Sequence, residues 1–464
     1  MIKMKLVKLV LIVFLCAPLM VWSQDQSSFS LEEAIQFAIE NNYNMKNART
    51  DVEIAKRKIN ETTAIGLPQI AGTISNTNYM SLPTTLFPDF ITGAIYQVNE
   101  EKFGLVPVVP QAEQEFFPVS FGTKYNATAQ LSVSQLIFKG SYIVGLQAAK
   151  AYLDQSKIQL QKSEIDIQES VTNAYFLVLV AEEQLEILKS TMKSLKEMRD
   201  ETATIHAQGF IEDTDVDQLD LMVADLEANM FYTNNQVIIA RSYLKLNLGL
   251  KLNYAIDLTD NLNDLLNGVK GTEVLNSGFS FDQNIDYKVL QNQKKLSELN
   301  LKNFKSEYLP SISAFFNYQK DAQRNSYNFF DRSEPWYTTQ VYGFQMDIPI
   351  FSSGMRKAKV QQAKLELQKI EELDNQMQTS LGIAHETAST NFRNSLSIHL
   401  NKNKSKMLSD KIYKKALLKY KEGVFSSLDL LQNYNQYLTA ESDYINSIVD
   451  LVAAKLALEK LLSE

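Results

Sequence analysis

The chain has 464 residues, of which 45% are hydrophobic and 22% charged, and its formal net charge is −8. That length is enough for two or three ordinary domains. The negative charge and the lack of a basic block argue against nucleic acid as a partner. Proline and glycine are scarce and clustered, a composition typical of long uninterrupted helices with a few sharp turns.

Residues 1–23 have the features of a secretory signal peptide. Lysines precede an apolar run that extends to Trp22, and modest side chains before Gln24 suit cleavage at that point. The run is short for a membrane-spanning helix. Cys16, the only cysteine, lies inside this segment, so we expect a mature chain without disulfides or cysteine-metal sites.

The rest of the chain reads as a duplication. Three pairs of landmarks occur in the same order in both halves: Leu67-Pro68 and Leu309-Pro310, Ile137-Phe138 and Ile350-Phe351, and Gly209 and Gly423. We therefore predict a first repeat over residues 24–250, a polar linker over 251–280 and a second repeat over 281–464.

Each repeat contains two runs in which apolar and polar residues alternate, the pattern of a strand with one apolar face. We predict strands over residues 67–79, 124–138, 309–319 and 341–351, with a Pro- and Phe-rich surface loop over 80–123. The alternation fits either a half-buried soluble sheet or a membrane-barrel strand. Four strands are too few to close a barrel, so a membrane sheet needs strands from other chains, with eight, twelve or sixteen in total.

Long helices follow each pair of strands. The sequence predicts them over residues 141–207 and 355–421, each followed by a glycine turn and a returning helix with heptad spacing. Shorter helices over 30–64 and 281–307 are predicted to begin the two repeats. The last helix has two apolar seams, one of which comprises Leu430, Tyr437, Tyr444, Leu451 and Leu458. Two seams predict two helical neighbours, as in a ring of coiled coils. Taken alone, the pattern fits an ordinary bundle helix with one wide apolar face equally well.

The two glycine turns share a motif in which the glycine is followed by an aspartate and then by a glutamine at the same spacing. The first copy consists of Gly209, Asp215 and Gln218. The second copy consists of Gly423, Asp429 and Gln432, and Tyr420 precedes it.

The ordered set of turns, Leu-Pro strand starts and Ile-Phe strand ends resembles the TolC-like outer membrane efflux proteins over essentially the whole mature chain. The resemblance implies a mainly α fold with a membrane β-barrel part. In that fold a homotrimer forms a twelve-stranded barrel in outer membrane lipid, joined to a periplasmic α-helical barrel. It also implies a passive exit duct for substrates that an inner-membrane pump and a periplasmic adaptor deliver in efflux or type I secretion. No cofactor, metal or enzymatic activity is expected.

The resemblance also gives roles to residues at the turns. The expected adaptor contacts are Gly209, Phe210, Gly423 and Val424. The expected gate residues are Asp429, Gln432, Tyr420 and Asp215. Asp429 matches an acidic constriction, and a bond between Tyr420 and Asp215 is expected to hold the tip closed. Gln432 stands where the family's best-known pattern has a second acid, and Phe425 where it has an arginine, which argues against a strongly cation-selective, ion-pair-locked gate.

Two other classes of protein fit parts of the sequence. A secreted coiled-coil structural or adhesive protein would use the same heptads, with soluble strands. A periplasmic adaptor would carry one helical hairpin flanked by β-rich domains, which the duplicated order opposes. Motifs for enzymes or metals fail: the three histidines lack ligand spacing, and the acids from Asp213 to Asp217 lack the glycine and glutamate of a calcium loop.

Overall fold

The structure is a computed structural model that describes residues 27–88, 102, 116–271, 273–275 and 278–462. The predicted signal peptide, residues 1–23, lies outside the described residues. The chain forms two compact units, and each takes segments from both predicted repeats. The helical unit contains the segment that ends at Lys56, Ala151–Ser297 and the segment that begins at Glu366; the sheet unit contains Arg57–Lys150 and Glu298–Leu365.

The elements of the first half of the chain alternate between short strands and long helices. They are β1 (Ser27–Phe29), α1 (Leu31–Asn41), α2 (Tyr43–Ala64), β2 (Gln69–Asn78), β3 (Thr84–Pro88), β4 (Phe116–Ser120), β5 (Tyr125–Phe138), α3 (Gly140–Ala207) and α4 (Asp213–Leu248). Ser30 and Glu33 form a capping box at the start of α1. The predicted single helix over 30–64 is divided at Asn42, because the Asn42 side chain bonds the backbone of Asn44 and Asn247 rather than leaving the helix uninterrupted.

The second half of the chain repeats this order after a short connecting region. Its elements are β6 (Ile256–Leu258), α5 (Leu262–Val269), two 3-10 turns (Glu273–Leu275 and Phe281–Gln283), α6 (Ile285–Ser306), β7 (Ser311–Arg324), β8 (Tyr337–Asp347), α7 (Met355–Lys421) and α8 (Ser427–Leu462). None of the helices in the described ranges contains an apolar stretch long enough to cross a membrane.

The sheet unit is built on a four-stranded antiparallel sheet with the order β2-β5-β7-β8. Side chains on directly opposite residues share a face of such a sheet. The apolar face includes Ile70, Ile74, Leu131, Val133, Phe316, Tyr318, Tyr342 and Phe344. The opposite face includes Thr73, Ser75, Thr128, Gln130, Gln319 and Asp321. Most of the apolar face is exposed within one chain, which agrees with the predicted alternation.

Two strand boundaries differ from the prediction. The fourth strand runs over Tyr337–Asp347 rather than 341–351, because Pro349 has no amide to donate to a ladder and β-favouring residues precede position 341. The third strand continues to Arg324, five residues beyond the predicted end, since Lys320 and Asp321 still pair with β8.

The predicted surface loop over 80–123 also contains strands. β3 and β4 pair with each other, with Leu86 opposite Pro118 and Phe87 opposite Phe117. Proline is tolerated there because a two-stranded ribbon has only edge strands, in which half of the amides need no partner.

The helical unit contains two hydrophobic clusters. In the first, β1 and β6 form a parallel pair against the long helices, and the buried Tyr175 hydroxyl donates to the Phe29 carbonyl oxygen at 2.8 Å. The region predicted as a polar linker, 251–280, contributes to this core: Ile256, Leu262, Leu266, Val269 and Val274 are buried in it. Its apolar residues follow helical spacing around α5, so the segment folds rather than forming a tether.

The seam predicted on the last helix is buried along its whole length. Leu430, Tyr437, Tyr444, Leu451 and Leu458 are each at most 8% exposed. Tyr444, Leu451 and Leu458 of this seam lie in the first cluster. Leu430 and Tyr437 lie in the second cluster, which joins the hairpin of α3 and α4 to the hairpin of α7 and α8 near the glycine turns. A helix with a buried seam over about eight turns is held in one rotational setting, which fixes where its first-turn side chains point.

Candidate functional site: the hairpin tips

Both glycine turns end a long helix with a left-handed residue. Gly209 has φ 78° and Gly423 has φ 71°, a conformation that costs a side-chain-bearing residue free energy. The amide of Gly209 donates to His206 and that of Gly423 donates to Tyr420, so each turn satisfies carbonyls at the end of its helix. The next residues, Phe210 and Val424, are 77% and 69% exposed.

The two hairpins are joined behind the turns by the second hydrophobic cluster. It contains Met198 from α3, Leu219 and Met222 from α4, and Leu430 and Tyr434 from α8, all at most 2% exposed. Such a core holds the helix ends rigidly while leaving the turns in solvent.

A tyrosine group closes the deeper side of this cluster. The Tyr413 ring stacks on Tyr437 at 5.3 Å between centroids and lies 5.6 Å from Tyr434. Burial raises the pKa of Tyr413 and Tyr437 to about 12, so both hydroxyls are neutral at ordinary pH. These rings support the tip as packed apolar bodies.

Asp429 caps its own helix. Its Oδ2 accepts hydrogen bonds from the Ser426 hydroxyl at 2.7 Å and the Ser426 amide at 3.0 Å, and its amide donates back to Ser426 Oγ at 3.1 Å. This reciprocal arrangement is a capping box with an aspartate at the third helical position. The Ser426 hydroxyl and amide lower the pKa of Asp429 below its ordinary value.

Asp215 has a different role, because its carboxylate joins the two hairpins. Asp215 Oδ1 accepts a short hydrogen bond from the hydroxyl of Ser427, the first residue of α8. Ser427 is only 5% exposed. A charged acceptor paired with a buried hydroxyl forms one of the stronger hydrogen bonds found in proteins.

Tyr420 does not form the predicted hydrogen bond with Asp215. Its hydroxyl lies 3.4 Å from Thr202 Oγ1, and the Asp215 carboxylate is occupied by Ser427. Burial, and to a smaller extent the charge of Asp215, raises the pKa of Tyr420. Tyr420 and Asp215 are therefore close enough to interact electrostatically, but each has another hydrogen-bonding partner.

These groups surround a cavity of about 510 Å³ between the hairpin ends. It is lined by Thr202, Asp215, Tyr420, Phe425 and Ser426 together with apolar residues of α3. A space of this size leaves room for the side chains around it to move once the Asp215–Ser427 bond opens, while the second hydrophobic cluster still joins the two hairpins behind it.

Phe425 and Gln432 are the two positions at which the sequence analysis expects a departure from the family's best-known pattern. The Phe425 ring lies 4.5 Å from the Lys419 ammonium, so it holds a cation of its own chain. Gln432 is exposed, as is Asp429 one turn before it, and the two lie on the same side of α8.

Two residues of the site, Ser427 and Thr202, are missing from the sequence-based prediction. Both are buried polar residues, 5% and 4% exposed, which is unusual so close to a turn. The only sequence signal is the pair Ser426-Ser427 before the helix, where one serine caps and the other is left for a partner. The described residues contain no group of three or more side chains arranged to hold a metal ion.

Known structures share this fold. The CmeC outer membrane channel of Campylobacter jejuni is 16% identical, with a TM-score of 0.67 over 96% of this chain and 90% of that chain. The outer membrane protein VceC of Vibrio cholerae is 15% identical, with a TM-score of 0.66 over 93% and 96%. The open state of the Neisseria gonorrhoeae MtrE channel is 16% identical, with a TM-score of 0.65 over 93% and 88%. A search of curated protein sequences gives no match.

The family model described as "Outer membrane efflux protein" matches residues 34–250 and 297–464, which is most of the chain. These segments include both hairpins and all four strands of the sheet. The chain belongs to the outer membrane efflux protein family, whose members are channels rather than enzymes, and it resides in the outer membrane with a long periplasmic helical part.

Proposed function

We propose that this protein is the exit duct of a tripartite efflux or type I secretion system. In this proposal a homotrimer spans the outer membrane and passively exports substrates that an inner-membrane pump and a periplasmic adaptor deliver. The observation that carries the proposal is a four-stranded sheet with an exposed apolar face and two open edges, β2 and β8. Membership of an efflux channel family sets aside a secreted adhesive protein and a periplasmic adaptor.

The open edges support an assembly of several chains. In hydrocarbon, each unpaired backbone amide or carbonyl costs several kcal/mol, so barrel strands must all be paired. Three copies of this sheet give twelve strands, each β2 edge meeting the β8 edge of the next copy. The polar face, with Thr73, Gln130 and Gln319 in one row, then lines a water-filled lumen.

The tips support a docking and gating role. Phe210 and Val424 extend into solvent beside glycines at which an added Cβ would meet no neighbouring atom within 4 Å. A hairpin of another protein can approach such a surface closely. We propose that Gly209, Phe210, Gly423 and Val424 contact the adaptor, and that Asp429, Gln432, Tyr420 and Asp215 border the narrow end of the duct.

Cross-linking at the sheet edges tests the assembly. Thr73→Cys on β2 and Thr339→Cys on β8, in the cysteine-free mature chain that we expect, place one thiol on each open edge and on the same row of the polar face. Treatment of membranes with a short bis-maleimide should give a ladder that ends at three chains.

The matched control places the two thiols on the inner strands. Gln130→Cys and Gln319→Cys face each other directly on β5 and β7, so their cross-link should stay within one chain. A folded monomer in detergent, with both edge cysteines unreacted toward other chains, would contradict the trimer.

A further inference from the structure

One exposed basic residue interrupts the apolar face of the sheet. Lys320 on β7 lies directly opposite Ala129 on β5 and Thr338 on β8, and Ala129 lies opposite Ile74 on β2. The row below it consists of Gly72, Leu131, Tyr318 and Gln340, and the next row consists of Ile70, Val133, Phe316 and Tyr342. Lys320 is exposed, and its ammonium is the only charge in these three rows.

The position of Lys320 along the strand places it at the outer edge of the apolar band. β7 starts after α6, at the helix-joined end that faces the periplasm, and Lys320 is nine residues from its first residue, Ser311. At about 3.4 Å per residue and a tilt of about 40°, nine residues correspond to roughly 23 Å of height. Apolar bands of outer membrane barrels are about 25 Å tall, so Lys320 is level with the outer headgroups.

The loop between β7 and β8 covers the face immediately above Lys320. Ala322, two residues further along β7, is fully buried, and the Asn76 amide donates to the Tyr327 hydroxyl at 3.3 Å. The Tyr327 ring also meets Tyr125 edge-on at 5.6 Å. Phe330 of this loop is 93% exposed, as expected of a side chain that enters the interface between lipid and water. Lys320 is thus the last uncovered position on its strand below the loop.

The charge of Lys320 has no counterpart in the described part of the protein. The guanidinium of Arg324, on the same face, donates to the Pro335 carbonyl oxygen at 2.6 Å and lies 3.9 Å from Glu334. Asp321 is on the opposite face, where it accepts hydrogen bonds from Thr128 and Gln319, each at 2.8 Å. No ion pair or hydrogen bond joins Lys320 to another described residue, so its exposed ammonium is available to an anion at the level of the outer headgroups.

We propose that Lys320 binds the phosphate of a phosphorylated glycolipid in the outer leaflet. An ammonium group has three donors and a flexible stem that can rise from an apolar surface to the headgroup level. A phosphate there offers several anionic oxygens at that height, and the acyl chains beneath it pack on Leu131, Tyr318 and Phe316. Each chain carries one such site, formed entirely by its own β5, β7 and β8.

Lipid binding to the purified full-length protein tests this site. Native mass spectrometry should detect lipid A carrying both phosphates bound to the wild type. Lys320→Gln should weaken that binding by at least about tenfold, the effect of losing one charge-assisted hydrogen bond, and Lys320→Arg should restore most of it. Enzymatically dephosphorylated lipid A should bind the wild type as weakly as intact lipid A binds Lys320→Gln, which tests the contact without a substitution.

The control is an exposed lysine at the helix-joined end of the same sheet. Lys139→Gln, next to the end of β5, should leave lipid A binding unchanged. Equal affinities of wild type and Lys320→Gln for lipid A would overturn the proposal. The assignment to a glycolipid would be overturned by equally tight binding of phosphatidylglycerol. It would also be overturned if inorganic phosphate alone bound the protein in a way that depends on Lys320.

Discussion

The two hairpin tips carry an aspartate at the same place and use it differently. Asp215 follows Gly209, and Asp429 follows Gly423, at equal spacing in turns of nearly identical backbone conformation. Asp429 bonds Ser426 within its own helix, whereas Asp215 bonds Ser427 of the other hairpin. The same position of the duplicated motif is therefore part of a local helix cap at Asp429, whereas at Asp215 it links the two hairpins of the chain.

The reason for the difference is the residue at the start of each returning helix. α8 is preceded by Ser426, whose hydroxyl is free to form a capping box. α4 is preceded by Glu212, whose side chain forms no cap. The Asp215 carboxylate therefore has no capping partner in its own helix and bonds Ser427 instead. The capping box of α8 does not involve Asp215, so the bond between Asp215 and Ser427 can break without removing that cap.

The largest expected effect concerns the shared feature of the tips, the glycine turns. Gly423→Trp should abolish efflux in a resistance assay, because an indole at this position blocks close approach of a docking hairpin. The strain of a left-handed tryptophan is about 1–2 kcal/mol and local, so the level of the protein in the outer membrane should be maintained. Gly209→Trp should have the same effect if the adaptor docks on both hairpins in the same way.

The control for this prediction is Gly423→Asn. Asparagine tolerates the left-handed conformation and is small, so efflux should be retained. Full resistance in Gly423→Trp would remove the docking role from this turn, and loss in only one of the two tryptophan variants would show that the hairpins are not equivalent to the adaptor.

The next effect separates the two aspartates. Asp215→Ala leaves the buried Ser427 hydroxyl without its acceptor, so a double-mutant cycle with Ser427→Ala should give a coupling of about 1.5–3 kcal/mol. The measurement is the urea dependence of tip opening, followed by proteolysis at the turns. Asp429→Ala should show no coupling to Ser427→Ala. A coupling near zero for Asp215 would show that the link between hairpins does not hold the tip.

Opening of the tip should also appear as conductance. Tyr420→Phe combined with Asp215→Ala should raise the resting conductance in planar bilayers, since it removes two of the polar contacts beside the cavity. Tyr420→Phe alone should have a smaller effect than Asp215→Ala, because its bond to Thr202 is long, 3.4 Å. The reverse order would place the main restraint at Tyr420.

A smaller effect is expected on ion selectivity. In the proposed ring of three chains, the exposed Asp429 carboxylates would lie near the axis and attract cations. Asp429→Asn keeps the shape and removes the charge, so cation selectivity should fall. The fall should be clearest at low salt, because the Debye length is about 30 Å at 0.01 M and the charge then acts over a longer distance. With Gln432 neutral, we expect the cation selectivity of the unmodified protein to be modest. Unchanged selectivity at low salt would mean that the constriction lies elsewhere.

The sequence predicted the fold correctly wherever one periodic pattern of apolar residues continues over many residues. The two long helices begin and end within one residue of the predicted 141–207 and 355–421, because heptad spacing and a terminal glycine define each of them. The prediction failed over 251–280, where the helical spacing of α5 extends over only eight residues and the burial of its apolar side depends on β1 and the long helices.

The candidate site was accessible only in part for the same reason. The turns and the two aspartates follow from the repeated motif, but the partner of each aspartate does not. Asp215 and Ser427 are 212 residues apart, and their contact depends on the rotational setting of two helices in a shared core. A sequence gives the spacing of side chains along one helix, whereas the setting between helices is determined by packing that no single segment contains.

The smallest effect expected is the pH dependence of the local cap. The pKa of Asp429 is lowered below its ordinary 3.8 because Ser426 donates two hydrogen bonds to the ionised carboxylate. The folded cap thus favours the charged form: its contribution is fully present above the unfolded pKa and is lost as pH falls through the lower folded pKa. Protection of the first-turn amides of α8 from hydrogen exchange, corrected for intrinsic rates, should stay constant down to about pH 4 and decline below it. Ser426→Ala should have low protection at every pH, while Asp215→Ala should keep the wild-type profile, because Asp215 takes no part in the cap. A decline above pH 5 in the wild type would show that the carboxylates of neighbouring chains, rather than Ser426, control the protonation of Asp429.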